Sequence, residues 1–391
     1  MKRIILYTLL SLNLLLLPNE QASASNDSIR LSLLTCAPGE EIYSLFGHTA
    51  IRYENLIQGI DVVFNYGMFS YHSPNFIFRF SLGETDYSLG VADFTHFAAE
   101  YNFYGRSVWQ QTLNLTDEEK VHLINLLQEN YRPENRIYRY NFFYDNCATR
   151  PRDKIEESIT GRVIYPEGSS HSFRDIVHEY CKNHPWSRFG IDLCIGSEAD
   201  RPITQRQMMF SPFYLMNFFA NAKINHDGQQ RPLISSTKII VDATPDTEES
   251  NWIPTPFQST LLLFILTAAI TIYGIRKQKG FWVFDLILFG VAGMVGCVLA
   301  FLALFSEHPT VSSNYLLFVF HPGQLFFLPY IIYCIRKGKK CWYMSLNTLV
   351  LTLFIVLFPF IPQRINLAVV PLALSLLIRS ASNLILTYKK K

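Results

Sequence analysis

Charged residues are scarce in this chain, and neither sign of charge dominates. Asp, Glu, Lys and Arg make up 17% of the 391 residues, and the formal net charge is +2. Because nucleic-acid-binding proteins usually present a concentrated basic surface, this balance argues against a nucleic-acid partner. Hydrophobic residues make up 49% of the chain, and their excess lies after Phe257. Short basic runs separate the apolar stretches there, which indicates a membrane region following a more polar one.

Metal-binding spacings are also missing. The chain has 7 cysteines and 10 histidines, but no pair has the spacing of a zinc site, so we expect no metal and no other cofactor. Cys181 and Cys194 are candidates for a disulfide, which an exported domain permits. Cys297, Cys334 and Cys341 fall in or near apolar stretches and are expected to be packing residues.

The first 24 residues have the features of a secretory signal peptide. Lys2 and Arg3 supply a positive start, residues 4–17 are apolar, and residues 22–24 are small. The apolar segment is short for a membrane span, so we favour cleavage after Ala24 over a retained anchor. In either case the segment that follows is exported.

Five apolar stretches predict an all-α, five-helix transmembrane domain over residues 257–391. Each is close to the length that crosses the hydrocarbon core of a bilayer. The stretches are 257–275, 281–305, 315–335, 342–361 and 366–386. The third contains Phe320 to Gly323, which we interpret as a kink; the alternative is a lateral entry for acyl chains.

The segments that follow these stretches predict their orientation. Cation-rich and cation-poor segments alternate, in the order 276–279, 306–314, 336–340, 362–365 and 389–391. The two cation-poor loops hold only Arg364 as a formal cation. This alternation predicts a cytoplasmic C-terminus and an N-terminal domain outside the membrane. The signal peptide predicts the same orientation, which corresponds to a bacterial inner-membrane protein with a periplasmic domain.

Residues 25–220 are expected to form one globular α+β domain. Within it, segments 49–54 and 60–67 alternate or run apolar and β-branched, which is typical of a hairpin. Residues 221–256 are polar and interrupted by prolines, so we interpret them as a linker with a possible strand at 238–241.

Local signals place three further elements in this domain. Residues 31–34 are a plausible strand. Thr116 followed by Glu119 forms a capping-box pattern that predicts a helix. The aromatic-rich segment 136–144 is expected to be extended.

Cys147 is the best candidate for a nucleophile. It follows the extended segment, and Asp145 and Asn146 are natural capping residues for a helix that continues to Glu157. A thiolate at a helix N-terminus gains from the helix dipole and from an imidazole partner. The backbone N–H of Cys147 would also be free to serve as an oxyanion donor.

His48, on or beside an early strand, is the candidate general base and acid. Asn65 is the first choice for the group that orients its ring, with Asp61 as the alternative. Cys36 is the alternative nucleophile. His48 precedes Cys147 by about a hundred residues, the reverse of the order in papain, as a circularly permuted papain-like fold would give.

Two arginines near Cys147 are candidate substrate-binding residues. Arg150 and Arg152 fall within about two helical turns of the nucleophile, and arginine grips phosphate bidentately, as in a phospholipid headgroup. Ion pairs with Asp153 or Glu156 are the alternative. The segment 187–200 suggests a shaped loop that lines the cleft.

Four motifs together resemble the Lnb-type bacterial lipoprotein N-acyltransferases. They are LTCAPG (34–39), FGHTAIR (46–52), FNYG (64–67) and DNCATRPRD (145–153). The resemblance covers the whole mature chain and implies a periplasmic papain-like domain followed by membrane helices. It also implies that Cys147 and His48 form the catalytic dyad and that the substrate is a lipoprotein whose N-terminal cysteine already carries diacylglycerol. More distantly, the order of the dyad is similar to that in the lecithin retinol acyltransferase and permuted NlpC-like groups.

We therefore expect acyl transfer from a membrane glycerophospholipid through a thioester on Cys147 to the lipoprotein amine. The alternative is a membrane-anchored periplasmic cysteine hydrolase, either a peptidase or amidase, or a lipase. A non-enzymatic assembly or sensor protein with an inactive papain-like domain is a further alternative. The five-helix anchor favours a membrane-bound substrate over the cell wall.

Overall fold

The computed structural model describes residues 28–70, 74–168, 170–243 and 253–388. The expected signal peptide lies outside these residues. A mixed α/β region extends to Val241, and a helical region begins at Pro256.

A seven-stranded antiparallel sheet forms the centre of the first region. Its strands are β1 (Ile29–Cys36), β2 (His48–Asn55), β3 (Ile60–Met68), β4 (Asp86–Asp93), β5 (Val108–Leu113), β6 (Ile137–Arg139) and β12 (Ile234–Val241), in the spatial order β12-β5-β1-β2-β3-β4-β6. The expected strand at 31–34 lies within β1, and the expected hairpin is β2 paired with β3. Short strands outside this sheet are β7 (Arg162–Ile164), β8 (His171–Ser172), β9 (Pro202–Ile203), β10 (Lys223–His226) and β11 (Gln229–Pro232).

Eight helices of this region are described. They are α1 (Phe76–Leu82), α2 (Phe94–Phe103), α3 (Asp117–Tyr131), α4 (Thr149–Ser158), α5 (Phe173–Tyr180), α6 (Pro185–Cys194), α7 (Gln205–Met208) and α8 (Pro212–Asn221). The helix expected after Thr116 is α3, and Thr116 and Glu119 form the reciprocal capping box.

Each face of the sheet buries its own apolar core, because successive side chains of a strand point to opposite faces. Leu33 and Phe64 belong to a large core that includes residues of α3, α4, α5 and α8. Leu34 and Val63, their chain neighbours, belong to a smaller core that includes Phe97 of α2. The sheet is therefore covered on both sides.

The expected linker at 221–256 differs from the structure. Residues 223–241 form β10, β11 and β12, and β12 pairs with β5 as an edge strand of the main sheet. The possible strand at 238–241 is confirmed as the end of β12. The segment appears polar in sequence because an edge strand turns residues such as Ser235 and Lys238 to solvent while burying Ile234 and Val241.

The segment expected to be extended at 136–144 is only partly so. β6 covers three residues, and the chain then turns, with Asn141 and Asp145 exchanging two backbone hydrogen bonds of 2.9 Å. This closed turn delivers the chain to Cys147.

The helical region contains four helices long and apolar enough to span a membrane. They are α9 (Pro256–Lys277), α10 (Trp282–Phe305), α13 (Trp342–Leu357, extended by a 3₁₀ turn to Phe360) and α14 (Val369–Tyr388). Between them lie α11 (Gly323–Phe326) and α12 (Leu328–Lys337).

The third expected span is not a single helix. Residues 315–326 and 328–337 are bent by 72° at their junction, more than the expected kink. The bend falls just before Pro329, which lacks the N–H that a continuous helix needs. His321 lies earlier, between the 3₁₀ turn at Tyr315–Phe318 and α11, and its ring contacts the Asn347 side chain of α13 at 3.2 Å. Asn347 in turn donates to Ser380 of α14, so these polar side chains have partners inside the bundle.

The two regions meet through a joint of buried ion pairs. Arg174 of α5 is fully buried and contacts Asp192 at 2.7 Å and Asp200 at 2.8 Å. From the helical region, Arg364 contacts Asp200 at 3.2 Å, and Asn366 donates to Asp192 at 3.0 Å.

The segment 187–200, which was expected to line the cleft, instead belongs to this joint. Most of it is helical, in α6 and a 3₁₀ turn at Ser197–Asp200. The backbone N–H of Gly196 donates to Thr310, and that of Ser197 donates to Ser313, both in the loop after α10.

Candidate active site

His48 is the first residue of β2, and the preceding glycine sets its position. Gly47 has φ +78°, and a Cβ there would lie 2.5 Å from the carbonyl oxygen of Cys36. Only glycine fits this backbone without strain. In the sheet His48 is opposite Cys36 of β1, at the end of the pairing.

Asn65 contacts the imidazole, as the sequence suggested. His48 Nε2 and Asn65 Oδ1 are 2.5 Å apart. Such a contact fixes the orientation of the ring and leaves Nδ1 facing away from Asn65. Asp61, the alternative orienting residue, forms a bidentate ion pair with Arg52 instead, with distances of 2.8 and 2.7 Å.

Cys147 lies in a turn held by its neighbour Asn146. The buried Asn146 side chain accepts from the backbone N–H groups of Ala148 and Thr149, and donates to the carbonyls of Phe142 and Phe210. The helix α4 begins at Thr149, two residues after the thiol. Asn146 therefore satisfies the first turn as expected, whereas Asp145 binds Arg150.

Gly67 lies beside both the cysteine and the histidine. A Cβ added to Gly67 would lie 3.5 Å from Cys147 Cβ and 4.0 Å from His48 Cε1. The separation of Cys147 Cβ and His48 Cε1 is therefore at most the sum of these two distances. Gly67 has φ +89° and lies in an irregularity of the β3–β4 pairing between Asn65 and Met68. The glycine leaves room for both side chains at the end of the sheet.

Burial shifts the pKa of both His48 and Cys147 towards the neutral form. Burial lowers the pKa of His48 to about 4, although the Asn65 contact opposes this shift and Arg106 adds to it. Burial raises the pKa of Cys147 to about 11, against the backbone N–H groups of Thr49 and of Cys147 itself. Desolvation therefore opposes a thiolate–imidazolium pair, whereas the backbone N–H groups favour the thiolate.

Cys36 lies beside the site but is protected. Its side chain is fully buried, and burial raises the pKa of the thiol to about 12, despite a hydrogen bond from Tyr101 and the nearby charge of Arg106. Such a thiol is a poor nucleophile.

Arg106 is a neighbour of the site that sequence reasoning missed. Its guanidinium donates to the Ala37 carbonyl at 2.8 Å and lies over the Tyr101 ring. Arg106 is distant in sequence from the four motifs and has no spacing signal, so only the pairing of β1 with β5 brings it near.

Both candidate phosphate-binding arginines have partners inside the domain. Arg150 forms a bidentate pair with Asp145, at 2.6 and 2.7 Å, and lies over the Tyr138 ring. Arg152 is buried, contacts Asp153 and donates to the Arg206 carbonyl. The Arg152–Asp153 contact is one of the ion pairs expected as the alternative, whereas Arg150 pairs with Asp145 instead of Asp153 or Glu156.

Cys181 and Cys194, the candidates for a disulfide, are both free thiols in this structure. Cys181 packs in the large core of the α/β region, whereas Cys194 ends α6 at the joint.

Comparison with known families assigns both regions. Residues 17–180 match the family model of the Lnb N-terminal periplasmic domain, and residues 247–391 match that of the Lnb transmembrane domain. No curated protein and no solved structure gave a match. The α/β region is therefore periplasmic, and the protein is anchored in the inner membrane. The two matches, in this order and over most of the sequence, show that the chain belongs to the Lnb family of lipoprotein-modifying membrane enzymes.

Proposed function

We propose that this protein moves a fatty acyl group from a membrane glycerophospholipid to the N-terminal amine of a diacylated lipoprotein. The observation that carries the proposal is that Cys147 and His48 both lie within 4.0 Å of the Cβ position of Gly67, while Asn65 contacts Nε2 of His48. A thiol, a base and an orienting amide are the parts that covalent acyl transfer needs.

In the first half-reaction Cys147 becomes acylated. Asn65 occupies Nε2 of His48, which leaves Nδ1 to accept the thiol proton. Sγ then attacks the ester carbonyl, and the tetrahedral oxyanion is stabilised by the backbone N–H of Cys147. Collapse breaks the ester C–O bond, and the lysophospholipid oxygen leaves with the proton held by His48. Burial favours the neutral imidazole, whose unprotonated Nδ1 can accept the thiol proton while Nε2–H donates to Asn65.

In the second half-reaction the lipoprotein amine attacks the thioester. The attacking α-amine must be neutral, and amines of this kind have a pKa of about 8. His48 removes a proton from the new C–N centre and returns it to the departing sulfur. The products are an N-acylated lipoprotein and the free thiol, so protons and acyl groups balance over the cycle.

The membrane helices place this chemistry where both lipid-anchored substrates diffuse. The loop 306–314 and Arg364 contact the periplasmic domain, so they lie at the periplasmic ends of the helices. The cation-rich segments 276–279 and 336–340 follow the opposite ends of α9 and α12. This arrangement supports a cytoplasmic C-terminus for α14.

The test is Cys147→Ser in cells, followed by mass spectrometry of a lipopeptide. We expect diacylated lipopeptides with a free amino terminus, because a serine hydroxyl in this site lacks the nucleophilicity of the thiol. Cys194→Ser, which also changes a half-buried thiol, is the matched control and should leave lipoproteins fully acylated. Unchanged lipoproteins together with altered cell-wall peptides in Cys147→Ser would instead indicate a hydrolase.

A further inference from the structure

Helix α1 exposes a set of large apolar side chains that the catalytic mechanism does not use. Ile77 is 81% exposed, Phe78 58% and Phe80 43%, and none of the residues of α1 is buried. Exposing several large apolar side chains of one seven-residue helix to water is unfavourable. We therefore expect this face to contact an apolar environment.

The position of α1 identifies that environment. The ring of Phe78 contacts that of Phe301 near the end of α10, with centroids 5.9 Å apart. The Leu82 carbonyl accepts from the backbone N–H of Glu307 at 2.8 Å. The Phe80 carbonyl is 2.7 Å from the ring of His308. The helix is thus fixed beside the periplasmic end of a membrane helix.

The apolar face of α1 continues the lipid-facing surface of α10. Leu304 and Phe305, in the last turn of α10, are also strongly exposed. The one charged residue of α1, Arg79, is engaged by Asp86 at 2.7 Å and by the Glu84 carbonyl. Its charge is therefore balanced, and the exposed face of the helix is free of competing charge.

A series of aromatic rings connects α1 with the reactive thiol. Phe80 stacks on Phe76, and Phe76 stacks on Phe69, with centroid distances of 6.1 and 5.7 Å. Phe69 contacts Tyr87, which stacks on Tyr140 at 4.2 Å.

The middle of this series and its Tyr140 end lie near the site. Phe69 comes two residues after Gly67, whose Cβ position is 3.5 Å from Cys147 Cβ and 4.0 Å from His48 Cε1. Tyr140 and Cys147 both pack against the large core of the α/β region, and after burial a charge on Cys147 is the next cause of the raised pKa of Tyr140. Tyr43, which is exposed, contacts Phe69 from the loop before β2.

We propose that α1 inserts into the outer leaflet of the membrane and that the aromatic series from Phe80 to Tyr140 guides an acyl chain of a leaflet phospholipid to Cys147. The proposal rests on the proposed acyl transfer for the identity of the reaction, but the insertion of α1 does not depend on it. The occupant is lipid because α1 extends a surface that already faces lipid, at the height where the bilayer meets the periplasm.

Photocrosslinking tests the insertion without requiring catalysis. A benzoylphenylalanine is placed at Ile77 in the full-length protein carrying Cys147→Ala, reconstituted in vesicles of phosphatidylethanolamine and phosphatidylglycerol. The matched control places it at Val121, which is 54% exposed on the charged helix α3. We expect a phospholipid adduct at position 77 and none at 121. A protein adduct at 77, whether with a second copy or a lipoprotein, or no lipid adduct, would overturn the insertion.

A double variant tests the acyl path. Ile77→Ser with Phe78→Ser removes two apolar side chains that lie outside the core, so folding should persist. We expect acylation of Cys147 by vesicle phospholipid to slow about tenfold or more, because apolar burial in the leaflet is lost. Alkylation of Cys147 by soluble iodoacetamide should keep its rate, and Val121→Ser should change neither rate.

The two experiments separate the two proposals. If wild-type Cys147 takes no acyl group from vesicles, the proposed function fails, while the crosslink at position 77 still decides insertion. If acylation occurs at the same rate in the double variant, the acyl path is wrong even though the enzyme is correctly assigned.

Discussion

The active site and the joint between the two regions both bury ionisable groups, but they do so in opposite ways. At the joint, Asp192 is buried with Arg174 at 2.7 Å and His178 at 2.8 Å. At the active site, His48 and Cys147 are half-buried and contact no countercharge among the described residues within hydrogen-bonding distance, and burial shifts each pKa toward the neutral form. The paired charges at the joint stabilise the fold, whereas His48 and Cys147, which lack an ionic partner, can exchange a proton during a reaction.

The membrane region follows the pattern of the joint. Arg379 and Asp285 are both buried and form a bidentate pair, with distances of 2.7 and 2.9 Å. Thr271 accepts a further hydrogen bond from the guanidinium. The Arg379–Asp285 pair links α14 to α10, and the Thr271 contact adds α9.

The largest expected effect separates the two kinds of site. His48→Ala should lower the rate of acyl transfer by about 10²–10⁴-fold, the contribution typical of a positioned general base. The variant should still fold, because removing the half-buried ring does not leave a charged partner unpaired. The rate of lipopeptide acylation, measured beside the thermal unfolding of the same sample, checks this. A comparable loss of stability would assign His48 a structural role instead.

At the joint, a substitution should lower the stability of the fold. Asp192→Ala removes one of the two carboxylates that contact the buried Arg174, so the free energy of unfolding should fall by about 1.5–3 kcal/mol, the size of a hydrogen bond to a charged group. Denaturant unfolding in detergent measures this, and Asp227→Ala, which removes a carboxylate exposed on a turn, is the control. A change of less than about 0.5 kcal/mol, the size expected of a surface substitution, would show that the joint does not depend on this ion pair.

Giving the active site a countercharge should make it resemble the joint. Asn65→Asp puts a carboxylate beside the imidazole, and a nearby anion favours the charged form, so the pKa of His48 should rise above about 4. Since the base must be neutral, thioester formation should persist in the wild-type protein as the pH falls towards 4 but decline at a higher pH in the variant. If the rate declined at the same acidic pH in the wild-type protein and in the variant, His48 would not be the base.

The smallest expected effect concerns the second thiol near the site. Cys36→Ala should change the rate by less than about threefold, because the thiol is buried and protonated, and lower stability by about 1 kcal/mol. Loss of activity in Cys36→Ala with activity retained in Cys147→Ala would exchange their roles.

The sequence predicts the parts of this protein that depend on local chemistry. The capping box at Thr116 acts over four residues, and the hairpin of β2 and β3 follows from alternation. Asn146 caps its own turn, and Asn65 lies one strand from His48, so neighbouring motifs predict their contact.

What the sequence could not predict depends on partners far along the chain. β12 looks like linker because one of its faces meets solvent, and only β5 makes it a strand. The partner of Arg150 is local, but the choice between Asp145 and a phosphate cannot be made from charge alone. The pKa shifts of His48 and Cys147 depend on burial, which no sequence motif can indicate.

The most direct test of the account is to look for the acyl group on Cys147. The purified protein is incubated with phospholipid vesicles in the absence of a lipoprotein acceptor, and its peptides are examined by mass spectrometry before and after hydroxylamine. The account predicts a fatty acyl adduct on the peptide containing Cys147 that hydroxylamine removes, as it does a thioester. An adduct confined to Cys36, an adduct that resists hydroxylamine, or no adduct would contradict it.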